Sequence, residues 1–240
     1  MAPEPAWRAF GPGRGHTMDP EVLAGEPGPR TTLRLQEGEA LLGQAHLDRL
    51  EAGLAHLGLQ APWLAAAFDE ALAQAGQAGE GILRLRARAR EGVLLARLEA
   101  WKPPAEPWRL LAAPHPLGDL RGNPAAAHKG LLGGWSEAAL ELARSRGAHD
   151  VLCLWPDGTV AETALAGVAL PCGDHLRLPP RDGRVAGLAE AHLLPGWAAS
   201  KGQDLRTGPV LLEEALARGL RCFNAARGVW QAEVLPPSLP

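Results

Sequence analysis

Residues 82–90, ILRLRARAR, alternate apolar and basic positions from Leu83 onward. A period of two is that of a strand with one face on a core. Glu91-Gly92 predicts a turn, and GVLLARLEA its partner strand. Upstream, TTLRLQEGEALLG at 31–43 carries two short runs around Glu37-Gly38, the pattern of a hairpin. In AHLDRLEAGLAHLGL the positions Leu47, Leu50, Leu54 and Leu57 recur at helical spacing. PWLAAAFDEALAQAG, 62–76, predicts a second helix with Pro62 near its first turn. Residues 1–30 are rich in Pro and Gly and show no periodicity, so they read as a loose N-terminal arm.

In the second half WRLLAA predicts a strand, and PHPLGDLRGNPAAAHK a loop. A helix is expected over about 130–146, ending at Gly147. DVLCLW is an apolar strand, Pro156-Asp157-Gly158 a turn, and TVAET the start of the return strand. Helices are expected at 183–194 and 209–217, and LRCFNA and GVWQAEVL read as strands. WKPPAEP, 101–107, is stiffened by three prolines and reads as a linker. The organisation expected is therefore an arm at 1–30, a small α/β domain at 31–100, the linker, and a larger domain at 108–240.

Composition narrows the function classes. Of 240 residues 46% are hydrophobic and 21% charged, a globular balance. The net charge of −3 gives no basic field for nucleic acid, and Arg84, Arg86, Arg88 and Arg90 read as a solvated sheet face. No apolar run reaches the roughly 18 residues that span a bilayer, and the first 15 residues lack a signal-peptide core. No membrane partner is expected, and a cytoplasmic location is the default expectation. Cys153, Cys172 and Cys222 form no CxxC pair, and the histidines show no HExxH spacing, so no metal site is expected. Lys and Arg total 24, and only Lys102, Lys129 and Lys201 are lysines. Arginine stays protonated, so an amine nucleophile has three candidates.

The stretch HKGLLGGWSEAALELARSRGAHDVLCLWPDGTVAET runs from a lysine through a helix pattern and a strand–turn–strand to Glu162, 33 positions after Lys129. HLDRL at 46–50 follows the strand TTLRL and the turn EGE. RLPPRDGRVAGLAEAHLL at 177–194 and FNAARGVW at 223–230 complete the set. Together these segments resemble the class-IV pyridoxal-phosphate (PLP) aminotransferase and 4-amino-4-deoxychorismate lyase family, over about residues 31–235. The resemblance implies a two-domain α/β (α+β) fold of type IV, with the cofactor cleft between the domains and a homodimer. It implies that Lys129, in the larger domain, carries pyridoxal 5'-phosphate and that Glu162 meets the pyridine nitrogen. A carboxylate there favours the protonated ring that makes PLP an electron sink. It further implies Arg49 as the phosphate-binding guanidinium. Leu188 and Ala189, in a turn opened by Gly187, would offer backbone N–H groups to the phosphate, with Asn224 and Ala225 at a strand end nearby.

The pattern also departs from the family. Its usual Asn after the glutamate falls on Gly167, and the preceding Ser or Thr on Ala166. The Thr and Arg of its GITR segment fall on Ala189 and Glu190, and the chain holds no tyrosine. The activity expected is 4-amino-4-deoxychorismate lyase, acting on a small-molecule amino substrate. The alternatives are a branched-chain or D-amino-acid transaminase, and a diverged homologue without catalysis.

Overall fold

The computed structural model describes residues 6–15 and 19–236; residues 1–5, 16–18 and 237–240, parts of the expected arm among them, lie outside the described residues. The chain divides into two compact units. The first comprises the chain up to Lys102 together with His128–Gly134, and the second Pro103–Ala127 and the chain from Trp135 onward.

In the first unit, β1 (Arg8–Phe10), α1 (Pro20–Gly25), β2 (Arg30–Gln36), β3 (Glu39–Ala40), α2 (Gly43–His56), α3 (Leu64–Gly76), β4 (Gly81–Arg88) and β5 (Val93–Glu99) follow in order. The strands form an antiparallel sheet, β1-β5-β4-β2-β3. The β2–β3 turn holds Glu37 at φ 52° and Gly38 at φ 83°. Two successive left-handed residues match the twist of a tight hairpin. Leu33, Leu35, Leu83, Leu85 and Leu94 of the sheet share one core with Leu47, Leu50 and Leu54 of α2 and Leu64 and Phe68 of α3. A fully buried leucine is worth about 1.5–3 kcal/mol, so this face holds the unit together.

The other face is only partly the solvated one expected: Arg90 is exposed and Arg84 pairs with Glu99 (2.8 Å), but Arg86 and Arg88 are covered. Residues 6–15 and 19–30 are an integral layer: β1 pairs with β5, and Trp7, Leu23 and Ala24 pack with Val93 and Leu95. Arg88 is 5% exposed, and its guanidinium donates to the carbonyls of Leu23 (2.7 Å), Pro27 (3.2 Å) and Glu26. Arg86 donates to the carbonyl of Ala24 and lies over the Trp7 ring, as does Arg97. The last carbonyls of a helix lack intrahelical donors, and a guanidinium brings five, so Arg86 and Arg88 cap α1 onto the sheet. The alternation was visible in the sequence; the cover over its polar side was not.

The second unit holds β6 (Trp108–Pro114), α4 (Trp135–Ser145), β7 (Asp150–Leu154), β8 (Val160–Thr163), β9 (Gly167–Pro171), β10 (His175–Leu178), α5 (Leu188–His192), α6 (Leu194–Ser200), β11 (Asp204–Thr207), α7 (Leu212–Arg218), β12 (Leu220–Asn224) and β13 (Gly228–Leu235). Its strands form one mixed sheet, β11-β10-β9-β12-β13-β6-β7-β8, with β13, β6 and β7 parallel. Two helices start five residues inside their patterns. The helix expected from 130 starts at Trp135, because Gly130 and Gly133 hold φ at 97° and 86°. That expected over 183–194 shrinks to Leu188–His192, after a turn in which Gly183 has φ 80°. The fold is mixed α/β. No described helix is long and apolar enough to cross a membrane.

Candidate active site

In the first unit the segment around Lys129 is sewn onto the start of β2. Arg30 N donates to Lys129 O (3.0 Å), and Gly28 N to Gly130 O (3.1 Å). A Cβ at Gly130 would overlap Gly28 O and the Arg30 side chain, so only glycine lets the two strands of backbone approach this closely. These bonds explain why Lys129, expected within the larger C-terminal domain, belongs to the first unit. Its side chain is half-buried, whereas Lys102 and Lys201 are exposed. His128 beside it lies 4.5 Å from His56, ring to ring. Burial first, and the His56 charge second, hold the His128 imidazole below its ordinary range.

Arg49 is half-buried on α2. One helical turn earlier His46 is fully buried, and its Nδ1 meets the Thr31 hydroxyl at 2.6 Å. The leucine stripe of α2 turns this face inward, and the Thr31–His46 pair ties it to β2. His46 thus anchors the helix that carries Arg49.

In the second unit Glu162 lies on β8, 7% exposed, and its Oε1 accepts from Val185 N (3.3 Å). The next residue, Ala186, donates its N–H to the carbonyl of Ala127 at 3.0 Å. The 185–186 loop therefore bonds both to Glu162 and to Ala127 within the second unit. Around Glu162 the sheet is charged: Cys153 is raised well above its usual range, by burial first and then by the charges of Glu162 and Asp150.

Asp150 is a residue the sequence reading missed. It opens β7 at 1% exposure. Its carboxylate accepts from the Thr163 hydroxyl (2.7 Å) and from the N–H groups of Val151 (2.8 Å), Ala164 (3.2 Å) and Leu165 (3.3 Å). Burial pushes its pKa up to about 6, against those hydrogen bonds. Its one visible signal was an acid directly before the apolar run VLCLW.

Gly187 precedes α5 in an extended conformation, followed by Leu188 and by the buried Ala189. Glu190, where the family has an arginine, is 7% exposed and pairs with Arg184 (3.1 Å) and Arg181 (2.6 Å). The departure is thus compensated locally: two guanidiniums surround the substituted carboxylate. Asn224 ends β12, and its amide is engaged in the turn. Oδ1 accepts from the N–H groups of Ala226 (3.1 Å) and Arg227 (2.8 Å), and Nδ2 donates to Leu165 O (3.3 Å). Ala225 beside it is buried. At Gly167 a Cβ would overlap the Phe223 ring, so that ring takes the space a side chain would need there.

The sequence profile of the amino-transferase class IV family matches residues 30–234. The chain belongs to that family and is an enzyme of it. No curated protein matches the chain. Among solved structures, a hypothetical aminotransferase from Mycobacterium tuberculosis, in a form with alpha-ketoglutarate and PMP bound, superposes with a TM-score of 0.75 at 24% identity, over 93% of this chain and 87% of that one. A candidate 4-amino-4-deoxychorismate lyase from Legionella pneumophila gives 0.73 at 20% identity, over 90% and 85%. A further candidate lyase of the same description gives 0.72 at 25%, over 92% and 90%. The fold is that of the type IV transaminases, one of which, from Curtobacterium pusillum, gives 0.71 at 20% identity over 93% and 83%.

Proposed function

We propose that the chain binds pyridoxal 5'-phosphate on Lys129 and acts as 4-amino-4-deoxychorismate lyase, releasing pyruvate and 4-aminobenzoate. The observation that carries the cofactor reading is the state of the lysines: of the three, Lys129 is half-buried while Lys102 and Lys201 are exposed, and its backbone is tied down by the bonds of Lys129 O and Gly130 O. An amine is the side-chain group that can condense with the cofactor aldehyde, which a guanidinium cannot do. The donor set fits the group. Glu162 is a buried carboxylate suited to a ring N–H⁺, and Arg49 is a guanidinium suited to a phosphate. Leu188, Ala189 and Ala225 would add backbone N–H groups, and Asn224 would act by shaping the turn its own amide already holds.

Bound PLP supplies an electron sink for the pair left on a substrate carbon. Lys129 would anchor the cofactor, and its amine would be the group that takes a proton from the substrate carbon and returns one. Glu162 keeps the ring nitrogen protonated throughout. Loss of the enolpyruvyl group leaves an aromatic ring, which supplies the driving force. The lyase choice is supported by the segment ending in Asn224-Ala225 and by the likeness to the candidate lyase at 25% identity. A homodimer is the working form in this reading.

The test is the absorption spectrum of the purified protein with PLP. A cofactor band abolished by borohydride, with the label on Lys129 and absent from Lys129→Ala, is expected. Lys102→Ala and Lys201→Ala should keep it. Pyruvate from 4-amino-4-deoxychorismate supports the lyase. Glutamate formed from an amino acid and 2-oxoglutarate instead makes the chain a transaminase. Failure to take up PLP at all makes it a non-catalytic homologue.

A further inference from the structure

We propose that Asp150 is a positioning residue, acting through Thr163 and the turn after it to hold Glu162 in place. This rests on the reading above for what Glu162 does, not for how it is held. Glu162 and Thr163 are the last two residues of β8, and the turn 164–166 leads directly into β9. The turn's own side-chain bonds run through the Thr163 hydroxyl, which meets Leu165 N (3.3 Å) and Ala166 N (2.9 Å). Asp150 grips it from outside: one carboxylate takes the Thr163 hydroxyl and the N–H groups of both Ala164 and Leu165. Thr163 relays the grip, because its Oγ1 also accepts from Ala166 N (2.9 Å), while Thr163 N donates to Ala166 O (2.9 Å). From the other side Asn224 donates to Leu165 O.

The turn is therefore held by an acid from β7 and an amide from the β12–β13 hairpin. A buried carboxylate is expensive to desolvate, and its pKa is raised to about 6. Such a group is not needed merely to close a turn, for which an Asn or Ser suffices. What the carboxylate adds is acceptor capacity for several donors at once. Asparagine in its place offers a single oxygen and would turn an NH2 toward a backbone N–H. The anchored segment is the one that aims Glu162 at the Val185 N–H, so loss of the grip should be felt at that bond. Asp150 touches neither the cofactor nor the substrate in this proposal.

The experiment compares Asp150→Asn, Thr163→Val and Thr163→Ser with wild type by residue-resolved amide exchange, without added PLP. Asp150→Asn and Thr163→Val should lose protection at Ala164 and Leu165 and also at Val185, by roughly tenfold or more. Thr163→Ser keeps the hydroxyl and should behave as wild type. Should Asp150→Asn not fold, the Val–Ser pair at 163 carries the comparison alone. With PLP added, Thr163→Val should shift the pH at which the cofactor band titrates by about one unit, and Thr163→Ser should not. Loss confined to Ala164 and Leu165, with Val185 and the band unchanged, would overturn the proposal. A wild type that binds no PLP while Val185 still responds would keep Asp150 as the anchor of Glu162 and remove only the cofactor reading.

Discussion

The Thr31 hydroxyl and the His46 imidazole meet at 2.6 Å, both out of solvent, and join strand β2 to helix α2 one turn ahead of Arg49. A buried polar pair of this kind is costly to break from one side only, because the remaining partner is stranded.

Thr31→Val should therefore destabilise the chain by about 1–3 kcal/mol in urea denaturation. If α2 presents Arg49 to the cofactor phosphate, the same variant should also weaken PLP binding, though less than Arg49→Ala. Arg49→Ala should raise the PLP dissociation constant by about tenfold to a hundredfold, the range for losing a charge-assisted pair. Backbone donors remain, so the covalent link to Lys129 should survive. Equal PLP titrations for wild type and Arg49→Ala would remove Arg49 from the site.

Gly130→Ala tests the seat of Lys129. The glycine sits at φ 97° against Gly28 O and Arg30. Alanine there is strained in its own backbone and meets a carbonyl, a combined cost of about 2 kcal/mol or more. The expected result is a lower midpoint of unfolding together with slower attachment of PLP. Attachment at the wild-type rate in a destabilised protein would separate the seat from the chemistry.

Glu162→Gln keeps the shape and the acceptor for Val185 N–H but not the charge. PLP should still bind. Turnover should fall by roughly a hundredfold, equivalent to about 3 kcal/mol of lost charge stabilisation. Stopped assays under saturating substrate measure it, and an unchanged kcat would place Glu162 away from the ring nitrogen.

Asp150 makes stability depend on pH in a defined direction. Its folded pKa of about 6 lies above its ordinary 3.8, so the folded chain holds the proton more tightly. The stability this group contributes is full below about 4 and lost as pH rises through about 6. Wild type minus Asp150→Asn should accordingly fall between pH 4 and pH 7.5, on the order of 2–3 kcal/mol. Unfolding by urea at both pH values gives the difference; a flat difference means the carboxyl does not titrate there.

What the sequence determined by itself was local. The alternation of residues 82–90 set β4, the stripe Leu47–Leu50–Leu54 set α2, and Glu37-Gly38 set the tight turn, because each depends on side-chain period or on backbone freedom at one or two residues. The spacing from Lys129 to Glu162 and the segment HLDRL pointed to the family that the profile match shows. The tertiary structure decided what depends on residues far apart in the chain. Short strands such as β9, β10 and β11 have too few positions for a period, and pairing alone makes them strands. Arg86 and Arg88 of β4 became a cap for α1 only because carbonyls from another segment came to meet them. Lys129 and Gly130 joined the first unit through hydrogen bonds from Arg30 N and Gly28 N, and Asp150 gained its role from donors 13 to 15 residues away. Backbone hydrogen bonds carry no residue signature, so which distant N–H meets which carbonyl is settled only when the chain packs.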